Sequence, residues 1–330
     1  MRKAKVFIPL MACLLMLTGC KNNDNPTSGR PSTPDISIDP TAFGGYYANY
    51  VDWLSVEGNE LQFNLHKLCL LTHTKIVTYN QFSAYTTAST QPRSIDQSAT
   101  DSTKNVAFYT GAEISKSQKY TREHVWPCAN SSGLWVHSGY SSKEYYVDGT
   151  GYWGGGSDLY HVRPSSTYVN TARGNSKFIE FKEGEITYQA ADDGTKSGSS
   201  YNYPGGKCVL LVNSDPDAGF ATKSEPADQY KGDIVRILMY VYIHYAKMGG
   251  TEWNWYYDEA KTKCVMGSLG LRQVFGIEDQ DEMYEMIVRW NELDPVDDHE
   301  RLRNDTIQQI QGNRNPFVDY PDLVAKCFGL

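Results

Sequence analysis

The 330-residue chain has no C-x-x-C pair and no tight grouping of cysteine with histidine, which argues against a structural zinc site. It also lacks a basic surplus: 31 Lys and Arg stand against 39 Asp and Glu, for a net charge of -8. Sequence-independent affinity for nucleic acid comes mostly from cations that neutralise phosphates, so a basic coat protein is excluded and any nucleic-acid site must be a local patch. No repeat period is visible. The apolar run VFIPLMACLLML is too short to span a bilayer comfortably. What is present is core material: 40% apolar and 13% aromatic residues, ample for one large domain or two ordinary ones.

The first residues read as a targeting segment. Arg2, Lys3 and Lys5 precede the apolar run, and LTGC follows it. This looks like the lipobox of bacterial lipoproteins. The resemblance implies that Met1–Gly19 is a signal peptide, that Cys20 receives lipid, and that the exported protein is tethered to a cell-envelope membrane, the outer membrane by expectation. Residues 20–40 carry four prolines and no aromatic residue, the composition of a flexible tether. With Cys13 removed and Cys20 lipidated, Cys69, Cys128, Cys208, Cys264 and Cys327 remain. An exported protein keeps disulfides, but an odd number of cysteines does not choose a pairing.

Beyond the tether, Leu61, Leu65 and Leu68 are spaced for a helix over about residues 58–72. The Ser/Thr-rich stretch 86–120 is expected to be mostly surface loop, broken by one strand in NVAFYTGAEI. Residues 137–157 mix six glycines with four tyrosines and a tryptophan, which favours turns, with the rings packed over a core edge. The last third reads as helical. GDIVRILMYVYIHYAKM is apolar nearly all round; Met283, Met286, Ile287, Trp290 and Leu293 form one stripe of a second helix; a third runs from Asp298 to Gln311 and stops at Gly312. The expectation is a single α+β domain over residues 41–330.

Two polar constellations carry chemistry: REHVWP and SDLYHVRPSSTYVNTARGN, with His161 37 positions after His124. In the second, SDLYHV looks like a short strand that Pro164 breaks, after which Ser165 or Ser166 caps a helix. Asn170, Arg173 and Lys177 share a face of that helix if it continues past Gly174. Hydrolysis of a phosphodiester needs a base for the attacking water, and a neutral histidine serves near neutral pH. It also needs the developing charge neutralised, which a hard divalent cation on oxygen ligands does well. His124 offers the base, and Glu123 and Asn170 offer the oxygens.

REHVWP, then DLYHVRP, VN and R-x-N, and near the end WNELDPVDDHERLRND with QGNRNPFVDYP, together resemble the bacterial endonuclease I family of His-Me finger nucleases. The resemblance implies a ββα metal-finger core within the α+β domain. It implies His124 as general base, Glu123 and Asn170 as ligands to one Mg²⁺, with Mn²⁺ or Ca²⁺ as alternatives, and Arg173, His161 and Arg163 facing the phosphate. The implied substrate is DNA, with RNA as an open second substrate, cut with little sequence preference by a monomer that needs no protein partner. The residues also admit blander readings: His161 as a structural hydrogen-bonder, Arg173 as a cap for helix carbonyls, QGNRNPFVDYP as a structural clamp, Cys128 as a buried or bridged thiol. The competing class is a silent surface lipoprotein that binds nucleic acid or glycan.

Were 122–126 a regular strand, Glu123 and His124 would face opposite sides. The strand is therefore expected to twist or end before Pro127.

Overall fold

The computed structural model describes residues 36–79, 81–86, 94–116, 120–127, 154–182, 188–190, 210–212, 222–245 and 270–330. The signal and tether, Cys20, Cys128, Cys208, Cys264 and most of the Gly/Tyr-rich loop lie outside them. Thr33–Leu330 forms one compact unit.

The architecture is α+β. Four helices come first: α1 (Ala42–Gly45), α2 (Val51–Leu54), α3 (Gly58–Thr72) and α4 (Phe82–Thr86). A hairpin of β1 (Lys104–Val106) and β2 (Glu113–Ser115) follows. Next, β3 (Thr121–His124) pairs antiparallel with β4 (Val162–Ser165), which leads into α5 (Thr167–Arg173). A four-stranded sheet of β5 (Lys177–Phe178), β6 (Tyr188–Ala190), β7 (Leu210–Val212) and β8 (Lys223–Pro226) has the order β5-β8-β7-β6, with only β5 and β8 parallel. Helices α6 (Asp228–Tyr245), α7 (Gln280–Leu293), α8 (Asp298–Gln311), α9 (Pro316–Asp319) and α10 (Leu323–Phe328) complete the chain.

The stretch expected to hold one strand holds two. Tyr109 takes a φ of 69° and Gly111 one of 63°, so the chain reverses inside NVAFYTGAEI instead of running straight through it. Pro164 does not break β4 either. It pairs with Arg122, and its carbonyl accepts from Phe108 N at 2.7 Å. The helix after it ends at Gly174, which leaves Lys177 on β5 rather than on the face of Asn170 and Arg173.

Helix α6 is buried on every face, in keeping with a composition that is apolar nearly all round, and it is the post against which α3 and α7 pack. Helix α7 shows one buried stripe, Met283, Met286, Ile287 and Trp290; Leu293 was expected on that stripe but is 54% exposed, because the helix ends there. Asp279 caps α7 by accepting from Asp281 N and Glu282 N. Where α6 begins, Gly232 is required: a Cβ there would sit 2.0 Å from the Asp294 carbonyl at the end of α7. The same junction holds buried Arg236, which donates to Glu300 Oε1 at 2.8 Å and to the Asp294 carbonyl at 2.8 Å. Among the described residues no helix is long and apolar enough to cross a membrane. Cys69 and Cys327 are buried free thiols.

The C-terminal motifs support β4 from behind. Arg303 of α8 donates to Asp96 Oδ1 at 2.9 Å and to the Val162 carbonyl at 3.0 Å. Gln311, the last residue of α8, accepts from Leu159 N at 2.8 Å. In QGNRNPFVDYP, Arg314 forks onto Asp319 at 2.6 and 2.7 Å, so this stretch is a structural clamp.

Candidate active site

Strand β3 carries Thr121, Arg122, Glu123 and His124 in alternation, and the alternation sorts them. Glu123 is 1% exposed and points inward, whereas His124 is half-buried. The strand ends at His124, before Val125, Trp126 and Pro127. The side chains of these two neighbours therefore leave opposite faces of one short strand.

Helix α5 lies against the inward side. Ser166 caps it by accepting from Val169 N, which fixes the first turn and so the direction of Asn170 and Arg173. Asn170 Nδ2 donates to Thr121 Oγ1 at 2.7 Å and to the Arg122 carbonyl at 3.4 Å. That use of the nitrogen leaves Oδ1 as the amide's remaining donor of a lone pair. Glu123 Oε1 accepts from the Tyr109 hydroxyl at 2.7 Å and lies 3.7 Å from Arg173 Nη1. Burial raises the Glu123 carboxyl above the usual range, against the pull of Arg173 and the Tyr109 hydrogen bond. A cation at this carboxylate would relieve that cost. Two hard oxygens, from Glu123 and Asn170, fit a Mg²⁺-type ion that keeps several waters.

His124 is held from the other side. Its Nε2 donates to the Gly156 carbonyl at 2.9 Å; since a carbonyl only accepts, the proton sits on Nε2 and Nδ1 is the accepting nitrogen of the neutral ring. Burial lowers its pKa to about 4; the Gly156 bond raises it, and Arg122 and Arg173 lower it further. The ring stacks on Tyr79 with centroids 5.6 Å apart and planes at 20°.

The three side chains expected to face phosphate are buried. His161 donates from Nδ1 to the Gly155 carbonyl at 2.6 Å and accepts at Nε2 from Trp126 N at 2.8 Å, so both ring nitrogens are engaged by backbone. Arg173 is 1% exposed; Nη1 donates to the His124 carbonyl at 3.3 Å and Nη2 to the Val125 carbonyl at 2.5 Å. Arg163 is 4% exposed, with its guanidinium 4.6 Å from the Phe108 ring and Nε 3.5 Å from Asp96 Oδ1.

Several residues that matter here carried no signal in sequence. Tyr79 and Tyr109 arrive from a loop and from a hairpin turn, and Gly155 and Gly156 act through carbonyls alone. The glycines stood in a Gly/Tyr-rich run that composition marked as turns; nothing in it announced two histidine-binding carbonyls.

One trio of potential metal donors among the described residues lies elsewhere. The donor atoms of His73, Asp158 and His244 fall within 4.8 Å of one another. Asp158, however, already accepts on Oδ2 from the hydroxyls of Tyr240 at 2.7 Å and Tyr245 at 2.5 Å, and on Oδ1 from Tyr160 N at 2.8 Å and Gln311 Nε2 at 3.2 Å. His73 Nδ1 faces His244 Nε2 at 2.8 Å, a hydrogen-bond distance. The trio is a buried polar network anchoring the turn before β4.

The chain is similar in sequence to known proteins. The family model described as Endonuclease I matches residues 57–322. A protein of Bacillus amyloliquefaciens named extracellular ribonuclease is 28% identical over 300 residues, covering 88% of this chain and 81% of the relative. A second extracellular ribonuclease, from Bacillus subtilis strain 168, is 26% identical over 345 residues, covering 98% of each.

Proposed function

The chain belongs to the endonuclease I family and is a nuclease, a hydrolase of phosphodiester bonds, and from that premise we propose that it is a divalent-metal-dependent endonuclease whose general base is His124. The observation that carries the assignment is the His124–Gly156 bond, which fixes the tautomer and leaves Nδ1 as the proton-accepting nitrogen of the neutral ring. His124 takes the proton of the attacking water. Glu123 and Asn170 hold the metal, which when bound supplies charge stabilisation at the phosphate and the leaving 3′ oxygen. Cleavage then leaves 5′-phosphate ends.

Arg173, His161 and Arg163 frame the site from behind it. Arg173 holds the carbonyls at the end of β3, and His161 ties Trp126 to the Gly155 turn. The substrate is DNA and RNA alike. The family is described as an endonuclease and both relatives are named ribonucleases, which favours a site that reads backbone rather than base or sugar. Export is supported by the word extracellular in the relatives' names, and Cys20 is the proposed lipid anchor.

Plasmid DNA and a structured RNA are each incubated with the protein, with and without EDTA, and again with His124→Ala. Both substrates are cut, EDTA abolishes cutting, and His124→Ala loses activity on the order of a thousandfold. Metal-dependent nicking that survives His124→Ala sinks the mechanism. No cleavage with any divalent metal favours a silent binding protein.

A further inference from the structure

We propose that Arg122 is the cation that meets the substrate's phosphate backbone, and that Tyr79 is the positioning residue that sets both Arg122 and the His124 ring. The inference deepens the nuclease reading above and rests on it.

The argument starts from where positive charge is available. A chain with net charge -8 needs a local cation to receive a polyanion. The arginines expected to fill that role are buried, and Arg173 spends its terminal nitrogens on backbone carbonyls. Arg122 differs from them. It sits two residues before His124 on β3, so the pleat puts both side chains on the same face, opposite Glu123. It is half-buried, and the one hydrogen bond of its side chain among the described residues runs from Nη1 to the Tyr79 carbonyl at 2.8 Å. No carboxylate among the described residues pairs with it.

Its guanidinium carbon lies 4.1 Å from the centre of the Tyr79 ring, the ring that also stacks on His124. A flat guanidinium on an aromatic face is restrained in tilt without losing its in-plane donors. Nη2 and Nε are thereby left to offer a fork to a phosphodiester oxygen pair, a geometry lysine cannot copy. One tyrosine thus sets the distance between the group that binds the backbone and the group that takes the proton.

The test uses the full chain with Mg²⁺ and a fluorescently labelled single-stranded oligonucleotide, as DNA and as RNA, over a salt series. Arg122→Gln is expected to raise KM about tenfold with a smaller change in kcat, and to reduce the slope of log binding against log salt by about one. Arg122→Lys restores the salt slope but not the full KM, because charge returns without the fork. Tyr79→Phe keeps the ring and stays within about twofold of wild type, whereas Tyr79→Leu lowers kcat and raises KM together. An Arg122→Gln protein with unchanged KM and unchanged salt slope overturns the proposal. So does a Tyr79→Leu protein with wild-type kinetics. Arg122→Lys serves as the informative variant if Arg122→Gln fails to fold by circular dichroism. His124→Ala separates the two readings: it should bind the oligonucleotide with the wild-type salt slope and not cut it. If it cuts, the general-base reading fails while the Arg122 result is still read from binding.

Discussion

The Tyr109 hydroxyl donates to Glu123 Oε1 at 2.7 Å, from a residue whose φ is 69°. A tyrosine in the left-handed region costs on the order of 1 kcal/mol and persists only where its surroundings enforce it. Here the enforcement comes from the β1–β2 hairpin, and the return is a fixed rotamer for the carboxylate proposed to hold metal. Tyr109→Phe keeps the ring and removes the bond. The expected outcome is a roughly tenfold to hundredfold rise in the Mg²⁺ concentration for half-maximal activity, the scale on which such outer partners act. Unchanged Mg²⁺ dependence in a folded variant would remove Tyr109 from the site.

Arg173 joins helix α5 to the end of β3 through two carbonyls and stands 3.7 Å from buried Glu123. Removing one partner of a buried pair leaves the other charge uncompensated. Arg173→Met is therefore expected to lower stability by about 3 kcal/mol, read as a denaturant midpoint. In the double variant with Glu123→Gln, part of that loss should return, because the stranded charge is gone. Strict additivity of the two substitutions would mean that the pair is not coupled.

Gly312 ends α8 with φ +94, and a Cβ there would lie 2.4 Å from Thr74 Oγ1 and 2.8 Å from the Thr72 carbonyl. Gln311 beside it bonds Leu159 N and Asp158 Oδ1 in the turn that leads to His161. Gly312→Ala is expected to cost about 2 kcal/mol through backbone strain and the close approach combined. A thermal melt within one degree of wild type would show that the loop relocates freely.

Much of the helical fold was legible because periodicity and punctuation agreed. Leu61, Leu65 and Leu68 marked α3, and Gly312 as stop marked the end of α8. The strands were harder. Tyr109 hides a reversal inside an apolar run, since nothing local distinguishes a tyrosine at φ 69° from one in a strand. Pro164 read as a breaker because its partner is chosen by tertiary pairing with Arg122, which no local signal encodes. At the site, Glu123, His124 and Asn170 stood out through motif order, while Tyr79 and Arg122 did not, because stacking across 43 residues leaves no spacing to read.

His161 supplies a pH dependence with a definite sign. Its Nε2 accepts from Trp126 N at 2.8 Å, which only the ring unprotonated at Nε2 can do, and its Nδ1 donates to the Gly155 carbonyl at 2.6 Å. Burial first, and then the neighbouring His124, push its pKa down to about 3. The unfolded ring titrates near the ordinary histidine value of about 6.5. Above that pH both states are neutral and the two hydrogen bonds stabilise the fold in full. As pH falls below it, the unfolded chain takes up a proton that the folded one refuses, so stability drops steadily until the folded ring also protonates near 3. Between pH 7 and pH 5 the His161 contribution to the loss is on the order of 2 kcal/mol. His161→Gln removes the titration. Its own stability is lower at pH 7, but its urea midpoint should fall less between pH 7 and pH 5 than that of the parent. Parallel losses in the two proteins would place the acid sensitivity on other groups, and a steeper loss in the variant would reverse the sign argued here.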